Sequence, residues 1–161
     1  SHLTYDYSRI NNNKGRLGAS AILSDPKTAV CTEFTDLFIA LSRKKGILTR
    51  EIEGYGFSQD QNLRPLSSIT DILHTWPEYY DEKNHQWIPI DPTWENTSGI
   101  DYFSSFDLNH IVFVIHGKDQ SYPLPAGMYK VVDTAKDIEI IPSGKVPEKK
   151  IAVQLNENIK R

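Results

Sequence analysis

Cysteine is almost absent from this sequence, because Cys31 is the only one among 161 residues. A single thiol excludes an intrachain disulfide and a zinc site built from several cysteines. Cys31 itself is then either a small buried hydrophobic residue or a nucleophile. Its place at the head of "CTEFTDLFIALSRKKGI" does not decide between these two roles, so the decision depends on the rest of the chain.

An excess of positive charge and long apolar runs are also missing. The 18 Lys and Arg residues are outnumbered by 21 Asp and Glu residues, which gives a formal net charge of -3. This charge provides no basic field that would attract a nucleic acid or an anionic membrane. No apolar run reaches the roughly 18 residues of a membrane-spanning helix. The length and the ordinary composition instead predict one globular domain with a buried core.

The sequence that follows Thr28 has the apolar spacing of an amphipathic helix. Its apolar residues recur at intervals of three and four, and they are Val30, Phe34, Leu37, Phe38 and Leu41. This spacing predicts a helix over residues 29–45, with Thr28 as its cap and Gly46 as its end. A shorter helix is possible earlier in the chain, at "GASAIL".

The sequence after Gly46 favours strands. Runs rich in β-branched and aromatic residues predict strands at 47–57, 72–81 and 86–91, and another at "HIVFVIHG". "DQNLRPLSS" is a polar loop, and the end of the chain adds three short strand candidates, "MYKVVD", "DIEIIP" and "KIAVQL". Pro77 and Pro89 lack an N–H donor and therefore indicate sheet edges or irregularities. A helix followed by a meander of strands is typical of the α+β class rather than of alternating β-α-β units.

Two further residues could complete a catalytic site with Cys31. In the first turn of a helix, free N–H groups and the helix dipole favour the thiolate form of Cys31. His74 carries the side chain whose pKa suits removal of a thiol proton, although a lone histidine in a strand is often structural. Asp91 is either a turn residue ahead of Pro92 or the acceptor for the second ring N–H of His74. Their separation of 91−74 = 17 residues suits neighbouring strands joined by a short turn.

The phrases around these three residues resemble those of the transglutaminase-like superfamily. "CTEFTDLFIALSRKKGILTREIEGYG" is followed by "HTWPEYY" and then by "WIPIDPTW", and the resemblance covers about residues 19–95. The matching positions are Cys31, Arg43, Gly46, Ile47, Arg50, Gly54, Tyr55, His74, Trp76, Glu78, Tyr80, Trp87, Asp91, Pro92 and Thr93. The chain departs from the family pattern at Val30, where a glycine is frequent, and at Leu48, where a proline is usual.

The resemblance implies a papain-like core in which the helix that carries the cysteine packs on an antiparallel sheet that carries the histidine and the aspartate. It assigns Cys31 as the nucleophile, His74 as the general base and Asp91 as the orienting acid. The implied chemistry is acyl transfer on amide bonds of a protein or peptide substrate through a thioester. Hydrolysis by a cysteine peptidase is favoured over cross-linking by a transglutaminase, and a non-catalytic binding module on the same fold is a further alternative.

The remaining aromatic and imidazole side chains have simpler interpretations. Trp76, Trp87 and Trp94 are expected to pack on the sheet and wall the site, and Trp76 is a candidate for substrate binding. His85 is expected to be exposed in a turn. His110 and His116 flank the "IVFVI" strand and could form a metal pair, but the sequence supplies no further ligands. We therefore expect no metal, and the resemblance implies no other cofactor.

The domain organisation completes these expectations. Residues 1–161 are expected to form a single transglutaminase-like domain, with a core at about 19–116 and a β-rich extension at 117–161. The opening "SHL" is typical of a cloning remnant, and "NENIKR" ends the chain without a turn or cap. These features predict a domain excised from a larger protein, which we expect to be a surface-anchored protein outside the cytoplasm.

Overall fold

The computed structural model describes residues 2–11, 15–57 and 71–118. In these residues a 3₁₀ helix and two α-helices precede the sheet, and a third α-helix lies between its last two strands. The elements are a 3₁₀ helix Tyr7–Asn11, α1 Ala19–Ser24, α2 Cys31–Lys44, β1 Thr49–Phe57, β2 Asp71–Asp81, β3 Gln86–Pro89, α3 Pro92–Ser98 and β4 His110–His116. Among the helices of these residues, none is both long and apolar enough to cross a membrane. The polar loop and the three C-terminal strands that the sequence predicts lie outside the described residues.

The four strands of the described residues form one antiparallel sheet in the order β3-β2-β1-β4. β1 and β2 pair along their whole length, from Thr49 opposite Tyr79 to Phe57 opposite Asp71. β4 pairs with the other edge of β1, and the register shifts between Glu53 and Gly54. Helix α2 packs against β1 and β2. This arrangement confirms the α+β class and the antiparallel order of the predicted strands.

Helix α2 begins two residues later than the spacing predicts, and Thr28 does not cap it. The Thr28 hydroxyl donates to the Asp25 carbonyl at 3.1 Å instead. The Glu33 carboxylate closes the start of the helix, because it accepts the Val30 N–H at 3.0 Å. At the other end Gly46 adopts a φ of 81°, a conformation that favours glycine, and the helix stops there as predicted.

The buried surface of α2 is wider than the predicted apolar stripe. Phe34 and Leu37 are buried in a cluster with Leu3, Tyr5, Ile22 and Ala29. Thr35 is also buried, and its hydroxyl donates to the Thr75 carbonyl of β2 at 3.2 Å. Leu41, which the stripe includes, is 52% exposed. The N-terminal segment covers one side of the helix and the sheet covers another, so a single apolar stripe does not describe its burial.

Pro77 lies in β2, where it pairs with β1 on one side and lies just beyond the last paired residue of β3 on the other, which fits its interpretation as an edge or an irregularity. It is opposite Glu51 of β1, and its carbonyl accepts the Ile90 N–H at 3.1 Å. In an antiparallel sheet the N and the C=O of one residue point to the same neighbouring strand. Because the carbonyl of Pro77 points toward the β3 side, the N–H that Pro77 lacks would also point there. The β3 ladder ends there at Pro89, opposite Glu78. The ladder between β1 and β2 therefore loses no hydrogen bond at Pro77.

A buried ion pair fixes the N-terminal segment against the start of α2. Arg9 contacts Glu33 at 2.8 Å, and the side chains are 4% and 0% exposed. The same carboxylate accepts the N–H groups of Leu17 at 2.8 Å and Val30 at 3.0 Å. Since Val30 directly precedes Cys31, this network sets the position of the residue that opens α2.

The substitution Glu33→Gln should destabilise the protein strongly. It removes the charge that pairs with Arg9 and leaves a guanidinium buried without its partner, a change that typically costs about 3–5 kcal/mol. Urea unfolding followed by circular dichroism measures the loss. Glu82→Gln, in the exposed turn between β2 and β3, is the matched control and should leave the midpoint unchanged. Equal midpoints for both variants would contradict the structural role of Glu33.

The contribution of Glu33 should also depend on pH. Burial raises the pKa of Glu33, but hydrogen bonds from Arg9 and from the N–H groups of Leu17 and Val30 outweigh burial and hold the pKa below its usual 4.5. A carboxyl group with a lowered pKa in the folded state stabilises the protein fully above its unfolded pKa. That stabilisation is lost as the pH falls through the folded pKa. The difference in unfolding free energy between the wild type and Glu33→Gln should therefore shrink from pH 6 to pH 3, and a constant difference would refute this linkage.

Candidate active site

Cys31 is the first residue of α2 and has a free thiol that is partly exposed. The preceding residue, Val30, is extended, with φ -121° and ψ -174°. The first N–H groups of a helix have no partner within the helix, and the helix dipole is positive at this end. Both effects make the start of α2 a favourable place for a negatively charged group.

His74 lies in β2, and its side chain is almost completely buried. Its Nε2 lies 2.8 Å from Oδ2 of Asp91. The imidazole stacks on the Trp94 ring with 5.4 Å between the ring centroids. Gly56 of β1 provides the space, because a Cβ atom there would lie 2.7 Å from the Trp94 ring and 3.3 Å from Cδ2 of His74. Two aromatic rings thus fill the place that a side chain at Gly56 would need.

Asp91 follows β3 and caps α3, a helix that the sequence interpretation did not predict. Oδ1 of Asp91 accepts the N–H of Thr93 at 2.9 Å and that of Trp94 at 3.0 Å. Pro92 is the first helical residue, where its missing N–H and fixed φ cause no loss. An aspartate before a proline is thus a helix-start signal as well as a turn signal. With Oδ1 bound to the helix, Oδ2 is directed to His74.

Cys31 and His74 line the same cavity, which has a volume of about 180 Å³. Since Nε2 of His74 contacts Asp91, Nδ1 is the ring atom that remains for the thiol. Within the described ranges, Nδ1 is buried and no atom meets it with hydrogen-bond geometry. Burial lowers the pKa of His74, but the Asp91 carboxylate and, to a smaller extent, Cys31 raise it to about 10.

His110, the first residue of β4, contacts the same carboxylate, and the sequence interpretation did not place it there. Its Nε2 lies 3.0 Å from Oδ2 of Asp91, and its Nδ1 lies 2.9 Å from Oδ1 of Asp107. His116 lies at the other end of β4, 3.3 Å from Glu53. The two histidines contact different carboxylates and do not form the metal pair that was considered. An aspartate three residues before His110 was the available sequence signal.

The carboxyl group of Asp91 is ionised in this environment. Burial raises its pKa, but the charge of His74 and hydrogen bonds from both imidazoles outweigh burial and hold the pKa of Asp91 far below its usual range. An ionised carboxylate only accepts hydrogen bonds, so Nε2 of His74 carries the proton that it donates.

A metal ion could in principle be held by the same atoms, since one ligand atom each from His74, Asp91 and His110 lies within 4.8 Å of the others. The N···O distances of 2.8 and 3.0 Å are those of N–H donors on a carboxylate. Hydrogen bonding therefore accounts for this group of three.

Two more aromatic residues lie near these groups. Trp76 is 1% exposed and packs against His74 and His110, with centroid distances of 5.9 and 5.0 Å. Contact between Trp76 and a substrate stays a prediction. Tyr5 is also buried, and burial, with a smaller electrostatic effect of the nearby Cys31 side chain, raises the pKa of Tyr5 far above the usual value. A neutral phenol thus lies near the thiol.

Comparison with known proteins places the chain in a family. The sequence profile of the transglutaminase-like superfamily, whose members are generally thiol-dependent enzymes, matches residues 1–92, more than half of the 161 residues. No curated protein matches the chain. The matched residues include Cys31, His74 and Asp91 and end before Asp107 and His110. The chain belongs to the transglutaminase-like superfamily.

Proposed function

We propose that this protein cleaves amide bonds in peptide substrates by thiol chemistry, with Cys31 as the nucleophile, His74 as the acid and base, and Asp91 as the residue that orients His74. The observation that carries this proposal is the buried imidazole of His74, which contacts Asp91 at 2.8 Å and shares a cavity with Cys31. A cysteine whose only role is packing needs neither of these neighbours.

Asp91 selects which nitrogen of His74 meets the thiol. Its carboxylate accepts a hydrogen bond from the Nε2–H group, so Nδ1 is left to take the proton of Cys31. The raised pKa of His74, about 10, favours the imidazolium over the neutral ring at neutral pH. The positive end of the α2 dipole is also favourable for negative charge that develops at the start of this helix. Cys31 and His74 together then form a thiolate–imidazolium pair before the substrate arrives.

The reaction proceeds in two stages. The thiolate sulfur attacks the amide carbonyl carbon and forms a C–S bond, and the carbonyl oxygen becomes an oxyanion. The oxyanion collapses, the C–N bond breaks, and the imidazolium of His74 gives its proton to the departing amine. In the second stage His74 takes a proton from water, whose oxygen attacks the thioester carbon. The C–S bond breaks, the carboxylic acid leaves, and the proton on His74 restores the thiolate–imidazolium pair.

Two donors are available for the oxyanion. The Cys31 backbone N–H lies at the start of α2, where its hydrogen is directed out of the helix. The second donor is the phenol of Tyr5, which is buried near Cys31 and is held in its neutral form by its raised pKa. A neutral hydroxyl group can donate a hydrogen bond to an oxyanion, whereas a phenolate cannot.

One observation favours cross-linking as a second candidate function. Glu53 lies in the wall of the cavity that contains Cys31. Burial raises the pKa of its carboxyl group, and the His116 imidazole, 3.3 Å away, opposes this effect. A carboxylate beside an acyl-enzyme could attract a lysine ammonium, which after loss of a proton would attack the thioester in place of water.

Alkylation of Cys31 tests the nucleophile directly, and the single cysteine makes the product unambiguous by mass spectrometry. Iodoacetamide should modify the native protein at pH 7 about tenfold faster than the urea-unfolded protein, whose thiol has a pKa of about 8.5. His74→Ala should remove this acceleration. His85→Asn is the control, because His85 is exposed in a turn with φ 53° and asparagine tolerates this conformation. A slow native reaction that is indifferent to His74 would make Cys31 a packing residue and favour the binding-module alternative.

A product assay distinguishes hydrolysis from amine transfer. Glutamine-containing peptides are incubated with the protein, with and without a primary amine, and mass spectrometry separates peptide cleavage, side-chain deamidation and amine incorporation. We expect hydrolytic products in both conditions and a loss of at least about a thousandfold in rate for Cys31→Ala. Amine incorporation as the main product would replace hydrolysis by cross-linking. Products that persist in Cys31→Ala would refute the thiol mechanism altogether.

A further inference from the structure

Oxygen Oδ2 of Asp91 accepts hydrogen bonds from two imidazoles, one more than the proposed mechanism uses. His74 contacts it at 2.8 Å and His110 at 3.0 Å. The three side chains are 1%, 0% and 0% exposed, so water cannot take the place of either donor. The position of His110 therefore needs an explanation beyond the chemistry of Cys31 and His74.

The ring of His110 is held in one orientation. Oδ1 of Asp107 lies 2.9 Å from Nδ1 and also accepts the Asn109 N–H at 3.0 Å. Oδ2 of Asp107 accepts the Tyr102 hydroxyl at 3.0 Å. The Phe106 ring lies against the imidazole with 4.2 Å between centroids. With Nδ1 fixed on Asp107, Nε2 is directed to Asp91.

The carboxylate of Asp91 is fully used by its neighbours. Oδ1 accepts two N–H groups at the start of α3, and Oδ2 accepts the two imidazoles. These four hydrogen bonds equal the acceptor capacity of a carboxylate. A donor on Oδ2 stabilises the negative charge of Asp91 and therefore weakens the attraction of that charge for a proton on His74.

We infer that His110 is a positioning residue that holds Oδ2 of Asp91 and limits how tightly Asp91 retains the proton of His74. This inference rests on the proposed function, since it concerns the acid and base of the same reaction. His110 lies outside the family match at residues 1–92, so the match does not assign it a role. In the reaction, a proton held less tightly on His74 passes more readily to the departing amine.

The expected direction of the pH effect follows from the groups around His74. The titratable groups around it are Cys31 from α2, Asp91 from the start of α3, His110 from β4 and Glu53 from β1, which lies in the wall of the shared cavity. The residues of β1 nearest to His74, Gly54 and Gly56, carry no charge. Removal of the His110 donor leaves more of the Asp91 charge for His74. The pKa of His74 should rise, because an unshared carboxylate stabilises the imidazolium more strongly.

His110→Phe and His110→Gln test this inference. Phenylalanine keeps a ring in the aromatic surroundings and removes both nitrogens, whereas glutamine keeps an N–H donor. NMR of protein labelled with ¹⁵N-histidine follows the imidazole of His74, and the pKa of His74 should rise by about one pH unit in His110→Phe and by less in His110→Gln.

Kinetics provide a second measurement. The upper pKa of the kcat/KM profile should rise by the same amount, and kcat should fall about tenfold in His110→Phe. His116→Phe, a buried histidine in the same strand, is the matched control and should change neither pKa.

The outcomes separate this inference from the proposed function. The NMR titration needs no activity, so a rise in the His74 pKa supports the role of His110 even if amide turnover is absent. An unchanged His74 pKa in folded His110→Phe would overturn the inference while leaving the alkylation test of Cys31 intact. If His110→Phe does not fold, His110→Leu removes the same two nitrogens, and an unchanged His74 pKa in that folded variant has the same meaning. Activity that is lost with EDTA and restored by zinc would also overturn it, because His110 would then be a ligand.

Discussion

The carboxylate of Asp91 joins three elements of the fold, and both the structure and the proposed chemistry depend on it. One oxygen closes the start of α3, and the other meets His74 of β2 and His110 of β4. A buried carboxylate is unstable unless its lone pairs are used, and here all of them are. Substitution of Asp91 would therefore disturb the helix start and the imidazoles together, so a loss of activity in such a variant would have two causes. His110 can be changed without touching the helix cap.

The thiol is positioned by a separate set of contacts. The Arg9–Glu33 pair and the N–H groups bound to Glu33 fix the backbone immediately before Cys31. The two sets of contacts meet at the cavity that Cys31 and His74 share. The site is thus divided between a helix start that depends on the N-terminal segment and a sheet whose histidine depends on α3 and β4. Small shifts between these two parts would change the distance from thiol to imidazole without altering either part.

Local sequence patterns predicted the helix α2 and the paired strands well, but they predicted less well which side chains are buried and which elements contact each other. The spacing around Phe34 and Leu37 predicted α2 to within two residues at its start, and the alternating runs predicted the paired strands. Leu41 was assigned to the core because spacing alone does not reveal that the N-terminal segment and the sheet share the helix surface. The sequence predicts an edge or an irregularity at Pro77, but it does not show that the β3 ladder ends there. His110 was missed as a neighbour of Asp91, since that contact depends on the pairing of β4 with β1.

The two glycines of β1, Gly54 and Gly56, limit the space that is available around the site. A Cβ atom at Gly54 would lie 1.9 Å from the carbonyl oxygen of Ile111, and one at Gly56 would lie 2.7 Å from the Trp94 ring. His74 and His110 are the residues paired with Gly54 and Gly56 in the neighbouring strands. The backbone of β1 at these two positions therefore has no room for a methyl group, and at Gly56 the space is taken by the side chains of Trp94 and His74. A substitution of Gly54 or Gly56 by alanine would therefore displace the side chains that form the site, even though Cys31, His74 and Asp91 are all kept.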